Sequence, residues 1–167
     1  GNRDVAEAVG VFILGAGADH NVVAGNYIGV DATGSGPLPN LGDGVRIREA
    51  AQLNRIGTNA DGVADEVERN IISANMGDGI TILQTNTAGN VIQGNFIGTD
   101  VDGTSSLANS GSGVLLAGGA SGNFIGESDP AAKNIISGNS ANGVAIFNHG
   151  TTGNFVQGNF IGTDVSG

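Results

Sequence analysis

Short alternating runs of apolar residues recur along the whole chain, and each run begins at a glycine. A Gly followed by an apolar-x-apolar tripeptide starts at five positions, spaced 34, 35, 34 and 30 residues apart. Each is followed 10 or 11 residues later by an Asn-x-Ile/Val triplet, and a second such triplet follows in every repeat. The glycines are Gly10, Gly44, Gly79, Gly113 and Gly143. The pattern therefore predicts three short strands per repeat, separated by Gly and Asn corners.

A repeat of this length predicts a solenoid. We expect an all-β, right-handed parallel β-helix with three short strands per coil, about five coils, and residues 1–167 as one domain. Helices are not expected, because no segment keeps a 3.6-residue period for three turns and glycine interrupts every run. We also expect this domain to be a segment of a longer solenoid or filament.

The positions predicted to face inward are all aliphatic. Because side chains alternate along a strand, the last residue of every Asn triplet and the first and third residues of every Gly-led tripeptide share the inner face. We expect one aliphatic layer per coil, and side-chain hydrogen-bond ladders among the Asn residues that stack at equivalent corners. These Asn residues are Asn21, Asn54, Asn90, Asn123 and Asn154 in one row and Asn26, Asn70, Asn95, Asn134 and Asn159 in the other.

Long loops are predicted at alternating corners of the coils. The two Asn triplets begin 5 residues apart in the first, third and fifth repeats, but 16 and 11 residues apart in the second and fourth. The return to the next Gly-led strand takes 18, 9, 18 and 9 residues. Odd coils therefore carry a long loop after the third strand, and even coils carry one after the second.

The charge and composition limit the classes of partner. The formal net charge is −10 with only 6 Lys and Arg, so we expect no nucleic-acid partner, because phosphate binding needs clustered cations. We expect no membrane insertion, since no apolar run approaches the roughly 20 residues of a membrane span. Cysteine is absent, which removes disulfides and thiol chemistry.

Three copies of one spelling carry a family resemblance. Gly94–Asp100 and Gly158–Asp164 read Gly-Asn-Phe-Ile-Gly-Thr-Asp, and Gly25–Asp31 is a close variant. With the Gly-Val-x-Ile strands, this spelling resembles the parallel β-helix repeat (pectate-lyase-like) proteins, found in tandem in bacterial and archaeal surface or secreted proteins. The resemblance implies the β-helix fold and an extracellular or cell-surface location. It is weak for function, because this fold hosts both enzymes and inert stalks.

The sequence offers three arginines as candidate carbohydrate-binding residues and no catalytic set. The resemblance implies clustered Asp residues on outward strand positions in an enzyme, but those positions carry no acid here. Arg46, Arg48 and Arg55 fall in one coil and are candidates for binding an acidic sugar. The alternative is that they are ordinary surface residues.

Two groups of oxygen-bearing residues are candidate calcium ligands. Asp100 and Asp102 lie in one short turn, and Asn59, Asp61 and Asp65 lie in the long loop of the second coil. Calcium takes six to eight such oxygens from loops. The alternative is that these carboxylates cap turns. Apart from calcium as a possibility, we expect no cofactor.

An outward row of apolar residues on the third strands needs an explanation. The row contains Tyr27, Phe96 and Phe160, with Ile71 and Ile135 between them. Soluble monomers rarely expose such a long apolar stripe. We expect the long loops to fold back over it; a lateral interface with another chain and stacking on sugar rings are the alternatives.

The two ends of the sequence match each other. The segments Asp31–Ile47 and Asp100–Leu116 each span 17 residues, and the four residues from Asp164 plus the 13 residues from Gly1 to Ile13 would make a third. Joined copies would place an odd coil on an odd coil. We therefore expect head-to-tail self-association or adjoining repeats of the same protein.

Our functional hypothesis is an extracellular structural solenoid without catalysis, as a segment of a filament, stalk or surface adhesin. The alternative is a carbohydrate-active or carbohydrate-binding β-helix that binds polysaccharide as a lyase, hydrolase or epimerase does.

Overall fold

Three parallel five-stranded sheets run the length of the chain in a computed structural model that describes residues 8–166. Strands are numbered in chain order, so that coil 1 contains β1–β3 and coil 5 contains β13–β15. Sheet A contains β1 (Val11–Leu14), β4 (Val45–Arg48), β7 (Ile80–Leu83), β10 (Val114–Ala117) and β13 (Val144–Ile146). Sheet B contains β2 (Val22–Val23), β5 (Arg55–Gly57), β8 (Val91–Gln93), β11 (Phe124–Ile125) and β14 (Phe155–Val156). Sheet C contains β3 (Tyr27–Ile28), β6 (Ile71–Ile72), β9 (Phe96–Ile97), β12 (Ile135–Ile136) and β15 (Phe160–Ile161).

Each strand pairs in parallel with the equivalent strand of the next coil, in the register that the repeat predicts. In sheet A, Val11 pairs with Val45 and Ile13 with Ile47. The same alignment of equivalent residues continues through the other coils and the other two sheets. The prediction of an all-β parallel β-helix with three strands per coil is confirmed.

The core is a stack of aliphatic layers. In the middle coils the inward residues, such as Ile47, Ile82, Ile92 and Ile136, are fully buried. Fully burying one such side chain stabilises the fold by about 1.5–3 kcal/mol. Because every layer repeats the same small set of aliphatic shapes, the central core packs without aromatic side chains, which make up only 4% of the chain.

Both predicted Asn ladders are present. In each rung, Nδ2 of one Asn donates to Oδ1 of its equivalent in the next coil at 2.8 to 3.0 Å. In all eight rungs the backbone N–H of the earlier Asn donates to the same oxygen, as Asn54 does to Asn90. The ladders therefore satisfy buried corner groups that would otherwise be costly to remove from water.

A third ladder was not predicted. It runs through Asn40, Asn75, Asn109 and Asn139, again with rungs of 2.9 Å. Each of these residues lies four positions before the glycine that opens a sheet A strand. This constant spacing predicts the third ladder. The Asn-x-Ile/Val pattern does not include these residues, because no Ile or Val lies two positions after them.

Tight coil-to-coil contact makes some glycines necessary. Gly57 has φ of +103°, and a Cβ there would lie 1.9 Å from the carbonyl oxygen of Gln93 in the next coil. Gly17, with φ of +88°, has open space around the same position. The first glycine is therefore required by packing and backbone conformation together, and the second by conformation alone.

The long loops alternate between corners, as predicted. Coils 1 and 3 carry theirs between sheets C and A, and coils 2 and 4 carry theirs between sheets B and C. The coil 2 loop contains a single helical turn, α1 (Asp65–Glu68), and the coil 4 loop contains a 3₁₀ turn, Pro130–Ala132. Among residues 8–166, no helix has the length and apolar character needed to cross a membrane.

The coil 3 loop covers part of the apolar row on sheet C. Val101 and Leu107 of this loop pack against the cluster that contains Phe96, which is only 4% exposed. The loop is anchored to its coil 1 counterpart by a hydrogen bond of 3.0 Å from the Val101 N–H to the Gly34 carbonyl. The expectation that long loops fold back over the stripe is met at Phe96, while Tyr27 remains 46% exposed.

Candidate functional site

The three arginines predicted to bind an acidic sugar lie on two different faces, and each contacts an acid of its own chain. Arg46 and Arg48 lie on sheet A and Arg55 lies on sheet B. Nε of Arg46 lies 2.8 Å from Oδ2 of Asp43, and Nη1 of Arg55 lies 3.1 Å from Oε2 of Glu68. The structure therefore does not bring the three guanidinium groups together as one binding surface.

Arg48 is the remaining member of that set. Its Nε lies 3.6 Å from Oε1 of Glu49, and its guanidinium lies 5.0 Å from the centre of the Phe12 ring. In the coil 2 loop, Glu68 pairs with Arg55, and Asp61 and Asp65 accept hydrogen bonds from backbone N–H groups of the loop. Arg48 thus contacts coil 1 at Phe12 and coil 2 at Glu49.

The candidate calcium ligands of the coil 2 loop form hydrogen bonds within that loop. Asp65 accepts from the Thr58 hydroxyl and, at 3.0 Å, from the Gly62 N–H. Asp61 accepts from the Val63 N–H at 2.8 Å and from Nδ2 of Asn59 at 2.9 Å. These contacts are those of turn-capping side chains, which order the loop in the form that the structure shows.

Asp100 closes the turn that it begins. Its Oδ1 accepts the backbone N–H groups of Thr104 and Ser105 at 2.9 and 3.1 Å. Burial acts to raise the pKa of Asp100, but these hydrogen bonds and others in the turn outweigh it and hold the pKa below its ordinary value. Asp102 is exposed in the same turn. Within residues 8–166, no group of three or more His, Cys, Asp or Glu side chains is placed to hold a metal ion.

A stack of two carboxylates was missed by the sequence analysis. Oδ1 of Asp43 accepts the Asp78 N–H at 2.9 Å, and Oδ1 of Asp78 accepts the Ser112 N–H at 2.6 Å. Burial raises the pKa of Asp78, and the nearby Asp43 charge raises it further. The signal was the Gly-Asp-Gly spelling before β4 and β7, in which the Asp lies two residues before the first residue of the strand.

A groove between the long loops of coils 2 and 4 contains two cations. Its volume is about 630 Å³, and Arg69 and Lys133 line it together with residues of α1 and of the 3₁₀ turn. The guanidinium of Arg69 lies 4.1 Å from the centre of the Phe96 ring, and Nζ of Lys133 lies 3.8 Å from the centre of the Phe160 ring. Two of the three predicted interface residues, Phe96 and Phe160, thus form cation–π contacts within the chain.

The sequence carries a signal for this groove that was not used. Arg69 opens the pentapeptide Arg-Asn-Ile-Ile-Ser and Lys133 opens Lys-Asn-Ile-Ile-Ser, so both cations occupy the same position of the even repeats. Odd repeats have Gly25, Gly94 and Gly158 there. A cation is thus repeated where the coil 2 and coil 4 loops rejoin sheet C.

The inward-facing aliphatic residues of coil 5 are partly exposed to solvent. The inward residues Ile146, Val156 and Ile161 are 43%, 39% and 45% exposed, although their coil 4 equivalents are fully buried. Within the described residues, Asn154 and Asn159 lack the rung to a following coil, and Oδ1 of Asn21 and Asn26 accepts no hydrogen bond. The coil 5 surface therefore presents Asn donors and the coil 1 surface presents Asn acceptors.

These features define the protein as a parallel β-solenoid of stacked coils. Comparisons with models of protein families, with curated proteins and with solved structures found no match to this chain.

Proposed function

We propose that this chain is an extracellular structural β-solenoid, a segment of a filament, stalk or surface adhesin that assembles end-to-end. The observation that supports the proposal best is the uncovered coil 5 core, formed by Ile146, Val156 and Ile161. Apolar surface of this kind gains free energy when it is removed from water, at roughly 25 cal/mol per Å². A further coil of the same shape would cover it.

The Asn ladders give the association a direction. Every rung runs from Nδ2 of one coil to Oδ1 of the next, so a coil placed on coil 5 must offer Asn oxygens. The coil 1 surface offers them at Asn21 and Asn26. Donor end and acceptor end are complementary, and a heterologous contact that does not close builds a filament.

The occupant that we propose for the coil 5 surface is a coil of the same shape as coil 1, from a second copy of this chain or from an adjoining repeat of the same protein. Unpaired strand edges favour pairing with another chain, and all three sheets end in such an edge at β13, β14 and β15. We expect the segment Gly1–Ile13 to complete the loop of a preceding copy. Residues 1–7 of this segment lie outside the described residues.

The proposed extracellular location is supported by the sequence resemblance and not by the geometry of the coils. The Gly-Asn-Phe-Ile-Gly-Thr-Asp spelling resembles tandem repeats of pectate-lyase-like surface and secreted proteins, and on that resemblance we propose a place outside the cell. The absence of carboxylates from the outward strand positions supports a scaffold rather than a glycoside-cleaving site.

Sedimentation velocity over a range of protein concentrations tests the association. We expect the chain to form species that grow with concentration, and Asn159→Asp to prevent this, because it replaces a donor by a charge opposite acceptor oxygens. Asn86→Asp is the matched control, since it adds the same charge at an exposed turn of coil 3. Circular dichroism checks that both variants are folded. A wild-type chain that stays monomeric, or equal assembly by both variants, would overturn the proposal.

A further inference from the structure

Coil 5 contains the only Asn-Gly pair of the sequence, formed by Asn142 and Gly143. Asparagine is a chemically labile residue on heating or prolonged storage. Its side-chain Cγ can be attacked by the backbone nitrogen of the next residue, and glycine hinders this attack least because it has no Cβ. The pair therefore has the sequence required for spontaneous deamidation, and the surrounding structure decides whether the reaction occurs.

The backbone N–H of the glycine that opens each sheet A strand forms a coil-to-coil hydrogen bond in coils 1 to 4. It donates, at 2.8 to 3.0 Å, to the carbonyl before the equivalent glycine of the next coil. The donors are Gly10, Gly44, Gly79 and Gly113. Within residues 8–166, no carbonyl accepts the N–H of Gly143. The nitrogen that would attack Asn142 is thus available at the coil 5 surface, whereas its equivalents in the other coils are engaged.

The surroundings of Asn142 also favour the reaction. Asn142 is exposed, whereas Asp43 and Asp78, at the same position of coils 2 and 3, each accept an N–H of the following coil. Beside Gly143, the coil 5 surface has a hollow of about 160 Å³ that Ile161 also lines. A hollow of this volume admits water. The pair therefore has access to the water that the hydrolytic step of deamidation consumes.

We propose that Asn142 is a site of spontaneous deamidation, and that a coil stacked on coil 5 protects it. The Gly143 nitrogen attacks Cγ of Asn142, and the side-chain amide leaves as ammonia with the proton of that nitrogen, which closes a succinimide ring. Water then opens the ring at either carbonyl and gives aspartate or isoaspartate. The protection rests on the proposed end-to-end assembly, because the next coil would engage the Gly143 N–H. The reaction of the unassembled chain does not depend on that assembly.

The two products change the coil 5 surface in different ways. Aspartate reproduces the residue of coils 2 and 3, where Asp43 and Asp78 accept an N–H of the following coil. Isoaspartate inserts a methylene into the main chain two residues before β13 and so moves that strand out of register. Register decides which side chains of a strand face the core. A chain that stays unassembled therefore loses, with age, the surface on which another coil stacks.

Peptide mapping by mass spectrometry tests the site on the full chain, incubated at low concentration and mildly alkaline pH. We expect Asn142 to be converted faster than any other asparagine, with aspartate and isoaspartate as products. Asp78→Asn is the matched control, because it places an asparagine before Gly79, whose N–H donates to the Ser112 carbonyl. The introduced asparagine should react at least about tenfold more slowly than Asn142, since this hydrogen bond must open first. In urea the two rates should be similar.

The same mapping at concentrations where sedimentation velocity shows assembled chains tests the protection, and conversion of Asn142 should slow there. If Asn142 persists in the dilute chain, or reacts no faster than the asparagine of Asp78→Asn, the proposal is overturned. Equal conversion in dilute and assembled chains would overturn the protection. A chain that never assembles would contradict the proposed function and the protection, while the dilute measurement still decides the site. Circular dichroism checks folding, and Asp43→Asn is the second control if Asp78→Asn is unfolded, because Gly44 donates to the Asp78 carbonyl.

Discussion

Nδ2 of Asn95 donates to Oδ1 of Asn134 at 3.0 Å, and the Asn95 backbone N–H donates to the same oxygen at 3.0 Å. Asn95 also donates to the carbonyl of Ile56 in the coil below, at 2.9 Å. One fully buried side chain thus connects three coils. The direction of these bonds is the same in every rung, which makes the two ends of the solenoid chemically different.

Replacement of Asn95 tests the contribution of the ladder to stability. We expect Asn95→Ala to lower the free energy of unfolding by about 2–4 kcal/mol, because it leaves buried donors and acceptors in coils 2 and 4 without partners. Asn26→Ala removes the exposed first member of the same ladder and should cost less than about 1 kcal/mol. Urea denaturation of both variants measures the difference. Equal losses would contradict a ladder that depends on burial.

The glycines of the corners allow a matched test of packing. Gly57→Ala should cost about 2–5 kcal/mol, because the new Cβ collides with the Gln93 carbonyl and the backbone has a positive φ. Gly17→Ala carries only the conformational penalty of about 1–2 kcal/mol. Thermal melting of the two variants gives the comparison. If Gly17→Ala were as damaging as Gly57→Ala, close approach of neighbouring coils would not explain the requirement for glycine.

Asp78 should make the fold less stable as the pH rises. Its pKa is raised in the folded state by burial and by Asp43, so the folded protein holds a proton that the unfolded chain has released. The free energy of unfolding therefore falls as the pH rises from below the ordinary value of 3.8 through the raised value. We expect Asp78→Asn to stabilise the protein at pH 7 by up to about 1 kcal/mol and to leave it unchanged near pH 2.

Denaturation of Asp78→Asn at several pH values measures this effect. The amide keeps an oxygen that can accept the Ser112 N–H, so the variant removes the charge and retains the coil-to-coil hydrogen bond. A variant that is less stable than wild type at pH 7 would show that the carboxylate is favourable in its ionised form.

Asp100 should have the opposite effect. Its pKa is held below the ordinary value, so its contribution is present above the unfolded pKa and is lost as the pH falls through the folded pKa. We expect Asp100→Asn to cost about 1 kcal/mol at pH 7, since hydrogen bonds to a charged acceptor are the stronger ones. The cost should vanish in strong acid.

Asp102→Asn is the control for this prediction, because Asp102 is an exposed carboxylate of the same turn. Equilibrium unfolding of the two variants at pH 7 and near pH 2 is the measurement. A cost for Asp100→Asn that persists unchanged in acid would indicate that shape, not charge, holds the turn.

The fold was predictable because its causes are local and repeated. Ile56, Ile92 and Ile125 are assigned to the core by a period of two and a repeat of about 35 residues, and the structure buries all three completely. The Asn ladders follow from the same register. Asn75 was missed because its neighbours do not form an alternating triplet, although its distance from the next strand is constant.

The candidate site was less accessible from sequence, because it depends on how loops fold rather than on how strands repeat. Arg69 and Lys133 are 64 residues apart in sequence, and only the stacking of even coils brings them to one groove. Arg46 and Arg55 are close in sequence, but a corner between sheets A and B separates their faces. The sequence analysis predicted an outward apolar row on the third strands. It did not predict that Arg69 and Lys133 lie over Phe96 and Phe160 of this row.

We propose that coil 1 of one chain continues the solenoid of another. Electron microscopy of the concentrated wild-type chain tests it most directly. The account predicts unbranched filaments as wide as one solenoid, with a layer repeat of about 4.8 Å along the axis and no break in that repeat between chains. Dispersed monomers, or aggregates joined side by side without a continuous layer repeat, would contradict it.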